Sequence, residues 1–259
     1  GGAGDNYVVA DDSSQFISLG EGNDTLYAGA GDDTVGSGSG IDFLYGEDGN
    51  DVVFGGTDND QVFGGTGTDA VYGNQGTDVV YGNQGADTLF GGQDADTLFG
   101  GQDVDIVYGN LGDDVVYGNY GADILYGGQG NDVLYGGQSG DVENMSGNAF
   151  DLLYGGVGDD TLYGGQGVDW IFTGSGADKI VIGDTESTDV IGDFDGAAGD
   201  RLLIKTNING QAIATGADLI ARATDNADGD AEIDLGGGYE VRLIGVKSAD
   251  LNAGYFEFY

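Results

Sequence analysis

Hydrophobic residues recur along most of this chain at a fixed interval of nine residues. A representative unit is 127–135, which reads Gly-Gly-Gln-Gly-Asn-Asp-Val-Leu-Tyr, and residues 19–181 repeat it with small changes. The first six places are polar and rich in glycine, the eighth is aliphatic, and the ninth is usually Tyr or Phe. A short fixed period of this kind is typical of a solenoid.

The last three places of each unit predict a short β-strand, because β-branched and aromatic residues favour extended backbone. Side chains alternate across a strand, so the eighth should point inward and the seventh and ninth outward. The six glycine-rich places predict a tight turn and no packed strand. Two units then make one 18-residue coil with two short strands. Such coils stack as parallel sheets about 4.8 Å apart, which predicts an all-β parallel solenoid.

The repeat divides the chain into three parts. Residues 1–18 keep the register but carry Asn6 and Gln15 at the sixth place, which predicts a degenerate first coil with weak or absent metal. Residues 19–181 are the repeat proper, with one extra residue inserted within 142–150. Residues 182–259 leave the register and predict a small β-rich cap, with strands at 232–235 and 239–243 and a short helix over 217–223.

An aspartate occupies the sixth place of nearly every unit. The chain has 46 acidic and 6 basic residues, a net charge of −40, and no Lys or Arg before Lys179. Stacked coils bring like carboxylates together, so the counter-charge must come from solution. The predicted metal ligands are Asp24, Asp33, Asp42, Asp51, Asp60, Asp69, Asp78, Asp87, Asp96, Asp105, Asp114, Asp123, Asp132, Asp141, Asp151, Asp160, Asp169 and Asp178.

Calcium is the cation that this ligand set favours. Ca²⁺ takes several oxygen ligands in a flexible loop, and the chain has no Cys or His to suit zinc. Sites are predicted between turns 18 residues apart, such as Asp78 with Asp96, and completed by backbone carbonyls of the glycine-rich turns. The alternative is that each Asp only forms an Asx turn. That alternative suits a lone aspartate better than a whole column without a neighbouring cation.

The units resemble the Gly-Gly-x-Gly-x-Asp-x-(large apolar)-x nonapeptide of the RTX, or repeats-in-toxin, family. The resemblance implies a right-handed parallel β-roll that folds on Ca²⁺ and is secreted by a type I system. Residues 189–195 and 199–204 are similar to the segment that closes these rolls in serralysin-like proteins. Residues 255–259 look like the C-terminal export signal of that group, and they also suit an ordinary edge strand. The family includes proteases, lipases, toxins, adhesins and surface layers, so function stays open.

Two kinds of departure from the pattern allow alternative readings. Asp58, Asp94 and Asp103 replace the fourth-place glycine, either as tolerated left-handed residues or as extra carboxylates that adjust a site. Residues 138–150 break the rhythm, which predicts a bulge that leaves the roll intact, with a functional loop as the alternative. Glycosylation sequons begin at Asn23 and Asn144, and such short matches also arise by chance.

The ninth place is aromatic more often than a solvated face requires. One reading is an intramolecular ladder of stacked rings. The other is an assembly surface for further copies of the chain or for cell-surface glycan. The uncapped first coil is a second predicted contact between copies. The predicted assembly residues are Tyr45, Phe63, Tyr81, Phe99, Tyr117, Tyr135, Phe54, Tyr72, Phe90, Tyr108 and Tyr126.

The sequence therefore favours a secreted, calcium-dependent structural protein that self-assembles into an extracellular layer, sheath or filament. It resembles RTX surface-layer proteins and the filament-coating RTX glycoprotein of gliding cyanobacteria. The alternatives are the C-terminal export and folding module of a larger protease or lipase, which the missing start would suit, or an adhesin. We expect no catalysis, because there is no His, Cys or Gly-x-Ser-x-Gly elbow. We expect no nucleic-acid partner for so acidic a chain and no membrane span.

Overall fold

The computed structural model describes residues 2–138, 150–183 and 188–259. In this part of the chain β-strands dominate, and one short α-helix, α1 (Gly216–Ile220), lies in the C-terminal region. Three 3₁₀ turns also lie there, at Ile208–Gly210, Ser248–Asp250 and Ala253–Tyr255. The strands are β1 Tyr7–Val9, β2 Phe16–Glu21, β3 Thr25–Tyr27, β4 Thr34–Ser39, β5 Phe43–Asp48, β6 Val52–Thr57, β7 Gln61–Thr66, β8 Ala70–Gln75, β9 Val79–Gln84, β10 Thr88–Gln93, β11 Thr97–Gln102, β12 Ile106–Leu111, β13 Val115–Tyr120, β14 Ile124–Gln129, β15 Val133–Gln138, β16 Leu152–Val157, β17 Thr161–Gly165, β18 Trp170–Ser175, β19 Lys179–Ile182, β20 Asp189–Ile191, β21 Arg201–Ile204, β22 Ala223–Asp225, β23 Ala231–Gly236, β24 Tyr239–Leu243 and β25 Phe256–Phe258.

Successive strands alternate between two sheets. Sheet A has 13 strands and contains the even-numbered strands of the repeat, and sheet B has 12 strands and contains the odd-numbered ones. Each strand pairs in parallel with the strand one coil away, so that Leu98 of β11 lies between Val80 and Val116. These eighth-place side chains are fully buried and form the thin interior between the sheets. The predicted all-β parallel solenoid of 18-residue coils is confirmed.

The strands are longer than the sequence pattern suggested. Most span six residues, because the first three places of the next unit continue the parallel pairing, as Gly101 does opposite Asn119. The prediction that all six glycine-rich places form a turn is therefore wrong, and only the fourth to sixth places bend the chain. Asn119 has a φ of 76°, so asparagine keeps the left-handed backbone where it replaces the second-place glycine.

The insertion within 142–150 is larger than the single residue predicted from the register. Strand β14 pairs with β16 and places Leu125 opposite Leu153, 28 residues away instead of 18. Ten additional residues thus lie between β15 and β16, and Asp151 takes the position in the stack that the sequence assigned to Asp141. The sequence hides this change, because ten residues shift a nine-residue register by only one. Asp141 lies outside the described residues.

The two ends of the solenoid differ. At the N-terminal end β1 and β2 are edge strands, and Tyr7 and Phe16 are 72% and 80% exposed. At the other end β20 and β21 extend the two sheets, and an antiparallel hairpin of β23 and β24 packs beyond β20. The predicted cap strands and helix are present, and 256–258 form an edge strand on β21.

Candidate metal centre

The sixth-place aspartates form a hydrogen-bonded ladder along each edge of the solenoid. The backbone N–H of Asp78 donates to Oδ1 of Asp96 at 2.8 Å, and that of Asp87 donates to Oδ1 of Asp105 at 2.9 Å. The predicted partners 18 residues apart are thus neighbours, joined through backbone and carboxylate. Across the ten-residue insertion the ladder continues from Asp123 to Asp151 at 2.8 Å. Asn6 and Gln15 begin the two ladders by donating their backbone N–H to Asp24 and Asp33.

The second carboxylate oxygen of these residues has no hydrogen-bond partner. Buried polar atoms are normally satisfied, and a buried ionised oxygen is especially costly without a partner. A cation would supply the missing partner. Buried Oδ2 atoms without a partner occur in Asp24, Asp33, Asp42, Asp51, Asp60, Asp69, Asp78, Asp87, Asp96, Asp105, Asp114, Asp123, Asp132, Asp160, Asp169 and Asp178.

A backbone carbonyl of the next coil lies beside each of these oxygens in the middle of the solenoid. A methyl group placed on Gly100 would lie 2.5 Å from Oδ2 of Asp105 and 2.9 Å from the carbonyl oxygen of Gly118. At Gly73 the corresponding distances to Asp78 and Gly91 are 2.5 and 2.7 Å. In these coils only glycine fits the first place, and a carboxylate oxygen without a hydrogen-bond partner converges there with a backbone carbonyl oxygen. This donor set suits Ca²⁺, which binds carboxylate and carbonyl oxygens.

Burial changes the acid–base behaviour of these carboxylates. Loss of hydration, together with repulsion from the carboxylates of Asp123 and Asp87, raises the pKa of Asp105 to about 9, although the hydrogen bond from the Asp87 N–H opposes the shift. The same causes raise the pKa of Asp96 to about 8, and burial raises that of Asp51 to about 6, opposed by the hydrogen bond from Asp33. The unfavourable form is the ionised one, so the metal-free solenoid must take up either protons or cations.

Within the described ranges no three acidic, Cys or His side chains gather around one point. Each candidate site therefore combines few carboxylate oxygens with backbone carbonyls, as the sequence predicted. The assignment of the individual aspartates as calcium ligands stays a prediction. For Asp141 even the position in the fold lies outside the described residues.

Two aspartates that sequence analysis did not select continue the ladders into the cap. Oδ1 of Asp189 accepts from Asp169 N–H at 3.3 Å, and Oδ1 of Asp200 accepts from Asp178 N–H at 3.1 Å. Their spacings of 20 and 22 residues break the period. The sequence contains a signal for both residues. Each aspartate is followed two positions later by a buried aliphatic residue, Ile191 or Leu202, as in the repeat.

The fifth place carries a second ladder that the sequence analysis did not predict. Oδ1 of Asn131 accepts the backbone N–H of Asp159 at 2.8 Å, and Oδ1 of Asp113 accepts that of Asn131 at the same distance. Oδ1 of Asn23, the first sequon residue, accepts from Ile41 at 3.0 Å. The fourth-place Asp94 has a φ of 72°, which fits the reading of a tolerated left-handed turn residue.

The ninth-place rings form one stacked column on each sheet. Neighbouring rings lie 4.5–5.0 Å apart in both columns. Most rings are half-buried, because each covers the faces of its neighbours. The intramolecular ladder is thus present, and an assembly role for these rings stays a prediction. The columns are Tyr27, Tyr45, Phe63, Tyr81, Phe99, Tyr117, Tyr135 and Tyr163 on sheet B, and Phe54, Tyr72, Phe90, Tyr108, Tyr126, Tyr154 and Phe172 on sheet A.

Comparison with protein families decides the nature of these coils. The model for the RTX calcium-binding nonapeptide repeat (4 copies) matches residues 1–35, 9–44, 36–71, 72–107, 108–143 and 145–180. The chain belongs to the RTX calcium-binding repeat family. Its coils are calcium-binding repeats, and the converging carboxylate and carbonyl oxygens are where this chemistry fits the structure.

Other comparisons add little to this RTX protein. A search of the curated proteins finds no match. Among solved structures, it is similar to the extracellular lipase LipA from Serratia marcescens, with 15% sequence identity and a TM-score of 0.31. The match covers 70% of this chain and 44% of that lipase, so the chain spans less than half of the lipase's length. In the described part of the chain, no helix is long and apolar enough to cross a membrane.

Proposed function

We propose that this RTX protein is a secreted structural protein whose folded, calcium-bound rods associate side by side into an extracellular layer, sheath or filament. The observation that carries the proposal is an uncharged apolar face on a very acidic chain. We define the apolar face by apolar outward side chains of sheet A from β12 to β18: Ile106, Tyr108, Leu111, Ile124, Tyr126, Leu152, Tyr154, Val157 and Trp170.

The apolar face differs from the equivalent surface of sheet B. Its seventh-place residues include Ile106, Ile124 and Trp170, and Val157 and Leu111 are 57% and 44% exposed. In the equivalent strands of sheet B, β11 to β17, the outward positions instead include the polar residues Thr97, Gln102 and Thr161. Two acidic rods repel each other unless they meet through an uncharged surface. Contact through sheet A satisfies that condition and leaves the acidic turns at the edges.

Calcium would control this association through folding. Below saturating Ca²⁺ the buried carboxylates oppose the folded state, so binding free energy becomes folding free energy. The chain would then fold after export, where calcium is abundant, and present the apolar face only outside the cell. The proposal assigns no catalysis to this chain, which has no His or Cys.

Ring stacking argues against the adhesin alternative, in which the aromatic columns would bind glycan. A sugar ring stacks on the face of an aromatic side chain, and here those faces are occupied by the next ring at 4.5–5.0 Å. Only ring edges reach solvent along most of each column. This arrangement supports assembly between copies better than glycan stacking.

A second candidate is a folding module within a larger secreted enzyme. The exposed edge formed by β1 and β2, with Tyr7 and Phe16, favours it, because another folded unit would fit there and continue the stack.

Sedimentation velocity and electron microscopy of the purified protein separate these functions. The structural proposal expects ordered assemblies in Ca²⁺ and none in chelator. Dispersed single rods at every protein concentration in Ca²⁺ would count against it and favour the module.

A further inference from the structure

The first place of the repeat unit divides the coils into two groups. In the described units from Gly46 to Gly164 it is glycine, and the carboxylate lies against the glycine Cα. Among the described units that have a sixth-place aspartate, four have a side chain there instead, namely those of Leu19, Ala28, Ser37 and Thr173. Three of these four are at the N-terminal end of the ladders and one is at the C-terminal end.

In the glycine units the space beside the Cα is defined by two oxygens. For Gly82, a methyl group would lie 2.5 Å from both Oδ2 of Asp87 and the carbonyl oxygen of Gly100. No carbon atom can approach two oxygens so closely, so these oxygens converge only because the first-place residue has no Cβ.

Side chains occupy this space in the four other units. Leu19 and Ala28 are buried and belong to the hydrophobic core. The Ser37 hydroxyl donates to the carbonyl oxygen of Gly55, which is the equivalent of the Gly100 carbonyl beside Gly82. A carbonyl that accepts this bond has already found a partner.

Thr173 fills the same place at the other end. It is fully buried, and its hydroxyl lies 3.2 Å from Oδ1 of Asp193 and 3.3 Å from Oδ2 of Asp200. Asp200 also accepts backbone N–H bonds from Asp178 at 3.1 Å and Asp195 at 2.7 Å. Both of its oxygens are therefore satisfied without a cation.

We propose that the first-place residue decides whether a unit holds calcium, and that Leu19, Ala28, Ser37 and Thr173 bound the calcium-binding array at its two ends. The aspartates of these units (Asp24, Asp33, Asp42 and Asp178) stay in the hydrogen-bonded ladder and hold no Ca²⁺. These units differ from the glycine units in the side chain that fills the space beside the carboxylate. The inference rests on calcium binding by the repeats and is independent of rod assembly.

The test is the number of calcium ions bound per chain, counted by native mass spectrometry and by equilibrium dialysis with ⁴⁵Ca²⁺. Ser37→Gly and Thr173→Gly should each add one ion, and the double variant should add two. Neither change introduces steric conflict, because glycine is the usual residue at this place. Gly100→Ser should remove one ion and lower the melting temperature in Ca²⁺.

Gln102→Ser is the matched control, since it introduces the same side chain on the same strand at an exposed position and should leave the count unchanged. Unchanged counts in both glycine variants would overturn the proposal. A count that falls in them would also overturn it, because the hydroxyls would then be calcium ligands. The count per chain is measured at low protein concentration, so it does not depend on whether rods associate.

Discussion

Oδ1 of Asp105 accepts the backbone N–H of Asp87 from the neighbouring coil at 2.9 Å, while its Oδ2 is buried without any partner. The Asp105 carboxylate thus has two structural roles. It ties two coils together through one oxygen and presents the other to the space where Gly118 directs its carbonyl. The two contributions can be separated by substitution.

Asp105→Asn should weaken calcium binding and keep the ladder, because an amide oxygen still accepts the Asp87 N–H. Asp105→Ala removes the acceptor as well and leaves a buried donor without a partner, which costs about a further 1–3 kcal/mol. Calcium titration by circular dichroism and thermal unfolding in saturating Ca²⁺ measure the two effects.

Asp103→Asn is the control for both variants, since Asp103 lies at the exposed fourth place of the same turn. Asp103→Asn should change neither the calcium midpoint nor the melting temperature by much. Equal calcium midpoints for Asp105→Asn and the control would show that Asp105 is no calcium ligand.

Without calcium, acid should favour the folded rod. Burial raises the pKa of Asp51 to about 6, Asp96 to about 8 and Asp105 to about 9, against about 3.9 in an unfolded chain. The metal-free folded state therefore binds protons that the unfolded state has released. Its stability from these groups is fully present below about pH 4 and is lost as the pH rises through about 6 to 9.

In chelator, the strand signal in circular dichroism should thus be stronger at pH 5 than at pH 9. Added Ca²⁺ should restore it at pH 9, because the cation replaces the protons. A chelated protein that is equally ordered at both values would contradict this account of the buried carboxylates.

Charges on the apolar face should prevent assembly. Ile106→Lys together with Ile124→Lys places two cations on adjacent strands of sheet A. Lysine at these outward positions leaves the interior unchanged, so the rod should still fold in Ca²⁺. Sedimentation velocity should show a monomer at concentrations where the unmodified protein associates.

The matched control is Val115→Lys with Val133→Lys, which are the equivalent outward positions on adjacent strands of sheet B. This control should assemble normally. If the sheet B variant loses assembly and the sheet A variant keeps it, the contact lies on the other face.

Gly192 closes the aromatic column of sheet A, and enlarging it should loosen the cap. A methyl group there would lie 2.5 Å from Cδ1 of Phe172, so the last ring must move. We expect Gly192→Ala to cost about 1–3 kcal/mol of unfolding free energy, as overpacking usually does. Thermal unfolding in Ca²⁺ measures it.

Gly183→Ala serves as its control, because the nearest atom to an added methyl there is the Tyr259 hydroxyl at 3.8 Å. A melting temperature that is equal for both variants would mean that Phe172 is free to shift, and that the ring column does not constrain the cap.

The sequence predicted the parallel coils well, because the eighth-place aliphatics such as Leu98 repeat every nine residues on both sides of 138–150 and each must be buried. It predicted strand length poorly. Glycine is the usual residue of turns, yet Gly101 continues a strand because a parallel neighbour, Asn119, supplies the pairing. Pairing with a residue 18 positions away is not visible in the local composition.

The sequence predicted which aspartates line the metal centre, but it did not predict their hydrogen bonds. The Asp register identified the column, but the backbone N–H that each Oδ1 accepts appears only when coils are stacked. Asp200 was missed because its bonds to Asp178 and Thr173 cross an irregular connection. The proposed role of the first-place residue depends on what its Cβ would contact in the folded coil, and amino-acid composition does not show this.

The ten-residue expansion between Gln138 and Asp151 has a practical consequence. The coils on either side stay joined, since Asp123 still donates to Asp151 and Asp132 to Asp160, both at 2.8 Å. A connection in which ten additional residues leave the hydrogen bonds between the flanking coils in place is a suitable site for insertions. Foreign peptides or whole binding modules grafted there would be displayed from the side of a calcium-set rod, at a fixed height along its axis.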